Sequence, residues 1–128
     1  MQEPALPAIR AAIARMLPAG VAASAGALAE PAPPLAAAER PPTARMSARR
    51  LQEYAAGRGH ARMALERLGL HSPAVAVGPG RAPEWPAGFV GSISHAGELV
   101  VAIAAPSRLI LSIGIDLEPA VPLDADLL

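Results

Sequence analysis

The stretch from Ser47 to Leu68 carries the longest helical periodicity in the chain, and the fold must be built around it. Leu51, Tyr54, Ala61, Leu65 and Leu68 recur at three- and four-residue steps. Ser47 is suited to cap the first turn, and Gly69 supplies the stop. One residue breaks the apolar stripe. Arg58 occupies the step between Tyr54 and Ala61, flanked by Gly57 and Gly59. Each glycine costs about 1 kcal/mol against alanine in a helix interior. A charge on the apolar face of the best helix, flanked by two glycines, calls for a reason beyond helix formation.

Beyond Ser72-Pro73 the period changes from helical to alternating. Ala74 to Val77 reads as a short strand, and Gly78 to Pro86 as a loop rich in proline and glycine. Phe89 to Ser94 and Leu99 to Ala105 read as a hairpin around Ala96-Gly97. Leu109 to Glu118 is the clearest strand. Leu109, Leu111, Ile113, Ile115 and Leu117 share one face, and Ile110, Ser112, Gly114, Asp116 and Glu118 the other. These elements predict an α+β lobe with one long helix packed on a small, mainly antiparallel sheet. Residues 1–46 are expected to form an irregular N-terminal segment. Ile9, Ile13 and Leu17 allow a short amphipathic helix over Pro7 to Leu17, and Pro31 to Pro42 reads as an extended connector.

Composition narrows the function. Eleven basic residues balance 11 acidic ones, which argues against a nucleic-acid protein, because phosphate backbones reward a basic excess. With 0 cysteines, a disulfide framework, a cysteine nucleophile and a thiolate metal site are excluded. Every basic residue is arginine, which forks onto phosphate or carboxylate. No run is apolar enough to span a membrane. Met16 to Ala29 mimics a signal peptide, but Pro18 and Gly20 interrupt it, so a cytoplasmic location is expected.

Four groups could carry chemistry. Asp116 and Glu118 lie two residues apart on a strand, with α-carbons about 6.5–7 Å apart on one face. They suit a hard cation such as magnesium, or simply end a solvated strand face. Ser94 and His95 close the strand Gly91-Ser92-Ile93-Ser94-His95; the imidazole can meet a phosphate, or the pair is an ordinary polar strand end. Adjacent strand residues face opposite ways, so Ser94 and His95 do not make a nucleophile–base pair. Arg58 and Arg62, four apart, can reach one anion, either a ligand phosphate or a chain carboxylate such as Glu66. Arg81 rides a proline-stiffened loop and could grip an anion, whereas nearby Trp85 reads as a core anchor. Arg49 and Arg50 read as solvated.

Together these residues resemble a 4'-phosphopantetheinyl transferase of the type serving siderophore and other non-ribosomal peptide synthetases. The resemblance runs from Arg49 to about Glu118. It rests on Arg-Leu-Gln-Glu-Tyr-Ala-Ala-Gly-Arg at 50–58, Ala-Arg-Met-Ala-Leu at 61–65, Ala-Pro-Glu-Trp-Pro-Ala-Gly at 82–88, Gly-Ser-Ile-Ser-His at 91–95 and Gly-Ile-Asp-Leu-Glu at 114–118. Leu17-Pro18-Ala19-Gly20-Val21 also looks like the start of such proteins. The family moves the phosphopantetheine arm of coenzyme A onto a serine of an acyl or peptidyl carrier protein. The resemblance implies that Asp116 and Glu118 are catalytic ligands of Mg2+. It places Arg58, Arg62, Arg81, Ser94 and His95 around coenzyme A. Monomeric members have two similar lobes, the second bearing a Trp-x-x-Lys-Glu-Ala helix. This chain has no lysine and resembles the first lobe alone, at 47–118, with 119–128 a tail leading toward a second. The isolated chain is expected to transfer weakly, and a non-catalytic coenzyme A-binding or protein-interaction module is the alternative.

Overall fold

The computed structural model describes residues 6–30, 34–40 and 46–109. Helix α2, Ala48–Arg67, forms where the periodicity places it. Ser47 caps it, its hydroxyl accepting from the Arg50 backbone N–H at 3.1 Å. Gly69 follows at φ +97°, a left-handed conformation that glycine adopts without strain and that ends the helix.

The helix lies on a three-stranded antiparallel sheet in the order β1-β5-β4, formed by β1 (Ala22–Ala27), β4 (Phe89–Ala96) and β5 (Leu99–Pro106). Strand β4 runs two residues further than the pattern suggests, His95 pairing with Val100 and Ala96 with Leu99. The two-residue turn of the hairpin needs a positive φ first, and Gly97 supplies +58°. Central β5 is buried from Val100 to Ala105, so its sequence is continuously apolar rather than alternating.

Strand β1 corrects the expectation of an irregular N-terminal segment. Its sequence, Ala-Ala-Ser-Ala-Gly-Ala, has no large side chain to reveal a period, yet it pairs with β5 along its whole length. Helix α1, Leu6–Met16, forms where a short helix was allowed and contacts β1. Arg10 Nε donates to the Ala25 carbonyl at 2.9 Å, and Arg67 Nη1 donates to the Ala23 carbonyl. The two guanidinium groups cap alternate carbonyls of β1 and so blunt an edge that would otherwise pair with another chain. A second correction is small: β2 (Ala76–Val77) pairs with β3 (Pro83–Glu84), inside the segment read as loop.

Small residues let α2 sit close to the sheet. Ala61, Ala64 and Leu65 pack on Ala102, Ala104 and Val75, with Trp85, Phe89 and Ile93 closing the margin. A β-carbon on Gly57 would lie 2.8 Å from Ile93 Cγ2, and one on Gly91 would lie 2.4 Å from the Trp85 ring. The glycine beside Arg58 is therefore explained by close approach of helix and strand, and Trp85 is the core anchor its position suggested. The clearest strand of the sequence pattern, Leu109 to Glu118, lies outside the described residues after its first position.

Candidate functional site

Three rows of α2 meet three different surroundings. The first is Arg49, Glu53 and Gly57, each four residues apart. Four helical residues rise about 6 Å and two strand residues about 6.6 Å, so this row keeps step with alternate residues of β4. Gly57 meets Ile93. One step on, Glu53 Oε2 lies 2.9 Å from His95 Nδ1. One further step brings Arg49 to the turn, where Nη1 reaches Glu98 Oε1 at 3.0 Å and Nη2 donates to the Gly97 carbonyl at 2.9 Å. Arg49 Nε is 3.8 Å from the other Glu53 oxygen. The result is a partly exposed ionic chain, Glu98–Arg49–Glu53–His95. Arg49 is thus engaged with the turn, where the sequence reading left it solvated.

The second row is Tyr54, Arg58 and Arg62. Arg58 is 5% exposed. Its Nε donates to the Val75 carbonyl at 2.9 Å and its Nη2 to the Ala76 carbonyl at 3.3 Å. Its guanidinium carbon lies 4.6 Å from the centre of the Tyr54 ring, a cation–π contact. Arg62 Nε lies 3.3 Å from Glu39 Oε1. Arg62 is therefore paired with Glu39, not with the helical neighbour Glu66.

Glu39 is the site residue that sequence reasoning missed. It is 0% exposed. Oε1 accepts the Ala36 N–H at 3.0 Å, Oε2 accepts the Val75 N–H at 2.9 Å, and its carbonyl accepts the Tyr54 hydroxyl. The short 3-10 turn Ala37–Glu39 thereby anchors the proline-rich connector to α2 and to the segment before β2. Burial raises the Tyr54 pKa, with Arg58 pulling it down and Glu39 adding to the rise. One donor is left over: Arg62 Nη2 is buried with no hydrogen-bond partner among the described residues.

The third row faces β1. His60 Nδ1 lies 2.7 Å from Ser24 Oγ, and a β-carbon on Gly26 would lie 2.5 Å from Nε2. Burial lowers the His60 pKa; Glu30 pulls it back up, while Arg10 and Arg67 push it further down.

The remaining residues singled out from sequence fall as follows. Ser94 is buried and His95 exposed, so the pair is divided between the two faces of the sheet. Arg81 is exposed in the 3-10 turn Pro79–Arg81 at φ +66°. Arg58 and Arg62 share a row; His95 belongs to the row beside it. Asp116 and Glu118 lie outside the described residues. Among the described residues, no group of three or more His, Asp or Glu side chains could hold a metal ion. No described helix is long and apolar enough to cross a membrane. A cleft of about 450 Å³ between α1 and β1 is lined by none of the residues expected to bind a ligand.

Comparison with known proteins supports the family resemblance. Residues 38–105, more than half of the chain, match the family model described as the 4'-phosphopantetheinyl transferase N-terminal domain. The chain therefore belongs to the 4'-phosphopantetheinyl transferase family. It is 44% identical over 80 residues to the 4'-phosphopantetheinyl transferase Svp of Streptomyces mobaraensis, covering 62% of this chain and 32% of that protein. It is 37% identical over 81 residues to PptT of Mycobacterium tuberculosis, covering 63% and 36%. With Npt of Nocardia iowensis it shares 42% over 73 residues, covering 56% and 32%. The chain spans about a third of the length of these relatives. The match begins at residue 38 and so takes in Glu39, ahead of the helix that the sequence pattern made the start of the lobe.

Proposed function

We propose that this lobe holds coenzyme A while its 4'-phosphopantetheine arm is transferred to a serine of an acyl or peptidyl carrier protein. The observation that carries this reading is Arg62 Nη2. A buried guanidinium nitrogen with no partner among the described residues is costly, and an anion such as a ligand phosphate would satisfy it. Glu39 already holds the Nε edge of the same group, which fixes the direction of the free nitrogen. His95, exposed at the end of β4 beside the neighbouring helix row, adds a second anion-seeking group, and Arg81 a third on its loop. Arg58 serves chiefly by holding the Val75–Ala76 backbone. Ser94 lines the strand end.

Transfer between phosphate and hydroxyl needs alignment and charge neutralisation more than covalent help. Asp116 and Glu118 have the chemistry to hold Mg2+, which would neutralise charge on the diphosphate when bound. The lobe is the first of two pseudo-symmetric halves in this reading. Its setting is siderophore or other non-ribosomal peptide synthesis in the cytoplasm.

The test is to incubate an apo-carrier with coenzyme A, Mg2+ and the chain, alone and mixed with the remaining two thirds of Svp, and then weigh the carrier. Arm transfer in the mixture, abolished by Asp116→Ala, supports the reading. Coenzyme A binding without transfer in the mixture favours the non-catalytic binding module instead.

A further inference from the structure

We propose that Glu53 is the positioning residue for His95. The inference rests on the reading that His95 meets an anionic group of coenzyme A. The Glu53 carboxylate takes the Nδ1 edge of the ring at 2.9 Å, so Nδ1 carries the donated hydrogen and Nε2 points away from the helix. Glu53 is itself held on the side away from His95, since Arg49 approaches its Oε1 and is tied to the turn through Glu98 and the Gly97 carbonyl. The carboxylate is more enclosed than the ring it orients: the side chains are 17% and 38% exposed. A fixed carboxylate behind a freer imidazole leaves one ring nitrogen available to a ligand and restricts its direction. With Nδ1–H committed to Glu53, Nε2 is the nitrogen left to take up a proton, and the protonated ring donates to Glu53 and to a phosphate at once.

The register of helix against strand produces this arrangement. Glu53 is one helical step from Gly57, and His95 one strand step from Ile93, so the close Gly57–Ile93 contact delivers the carboxylate to the ring.

The experiment uses 15N-histidine-labelled chain, with the His95 signals assigned through His95→Gln. The expected result is an Nδ1–H tautomer for neutral His95 in the native chain and in Glu53→Gln, which keeps an acceptor oxygen, and a mixture of tautomers in Glu53→Ala. Titration with coenzyme A should show about tenfold weaker binding for Glu53→Ala, the scale of one lost hydrogen bond, and recovery toward native affinity in Glu53→Gln. An Nε2–H tautomer in the native chain overturns the inference, as does an unchanged His95 spectrum in Glu53→Ala. If the tautomers behave as expected but the native chain does not bind coenzyme A, the functional reading fails and the positioning role stands.

Discussion

Helix α2 presents arginines to two surroundings, and the outcomes differ. On the row facing β4 and the turn, Arg49 is half exposed and bonds to a carboxylate and a carbonyl at the surface. On the row facing the connector, Arg58 and Arg62 are enclosed and bonded to carbonyls and to Glu39, itself wholly buried. Water competes for every contact of the first row and for few of the second. The buried row therefore contributes more to holding the lobe together than the exposed row does. This contrast also separates two meanings of an arginine in an apolar stripe: Arg58 is a latch on the backbone, whereas Arg62 has one nitrogen with no partner among the described residues.

The largest effect is expected at Glu39. Glu39→Ala removes the partner of Arg62 and the acceptor of two backbone N–H groups, leaving a buried charge uncompensated. We expect a loss of about 3–5 kcal/mol in urea unfolding. A loss below about 1 kcal/mol would mean that the connector is not anchored by this residue.

A smaller, pH-dependent effect is expected on the β1 side. Burial depresses the His60 pKa below its ordinary 6.5, so the unfolded chain takes up a proton there more readily than the folded one. The stability that the neutral ring contributes is full above pH 6.5 and is lost as pH falls below it toward the depressed folded value. Glu30 facing the ring offsets this, and Arg10 and Arg67 reinforce it. His60→Gln, which cannot charge, should flatten melting temperature against pH across this window. An unaltered slope would sink the assignment.

The smallest effect belongs to the exposed row. Arg49→Ala should cost less than about 1 kcal/mol, and the loss should shrink as salt is added. A loss as large as that of Glu39→Ala would erase the distinction between the two rows.

Local signals made α2 and the hairpin legible. A capping serine, a 3.6-residue period and Gly69 bound the helix, and two runs rich in apolar and β-branched residues on either side of a glycine turn define β4 and β5. Strand β1 was hidden because six small residues carry no period. Glu39 was hidden for a different reason: an acid within an alanine- and proline-rich connector reads as solvated, and nothing nearby in sequence shows Arg62 waiting for it. Spacing rules find partners within one helix, and so pointed to Glu66; tertiary packing supplied Glu39 from another segment. The pairing of His95 with Glu53 was missed in the same way, although the shared row of Arg49, Glu53 and Gly57 is visible once the helix is known to run along β4. The residues expected to touch coenzyme A were named from their motifs, and they fall on one helix row, on the two faces of the end of β4 and on a loop.

The central claim is that His95, exposed at the end of β4, meets an anionic group of coenzyme A together with Arg62 Nη2. Isothermal calorimetry of coenzyme A against the chain and its His95→Ala variant tests this directly, with melting temperatures measured alongside. The account predicts measurable binding by the native chain, binding about tenfold weaker in His95→Ala, and no change in melting temperature. Equal affinity of the two proteins for coenzyme A would contradict it.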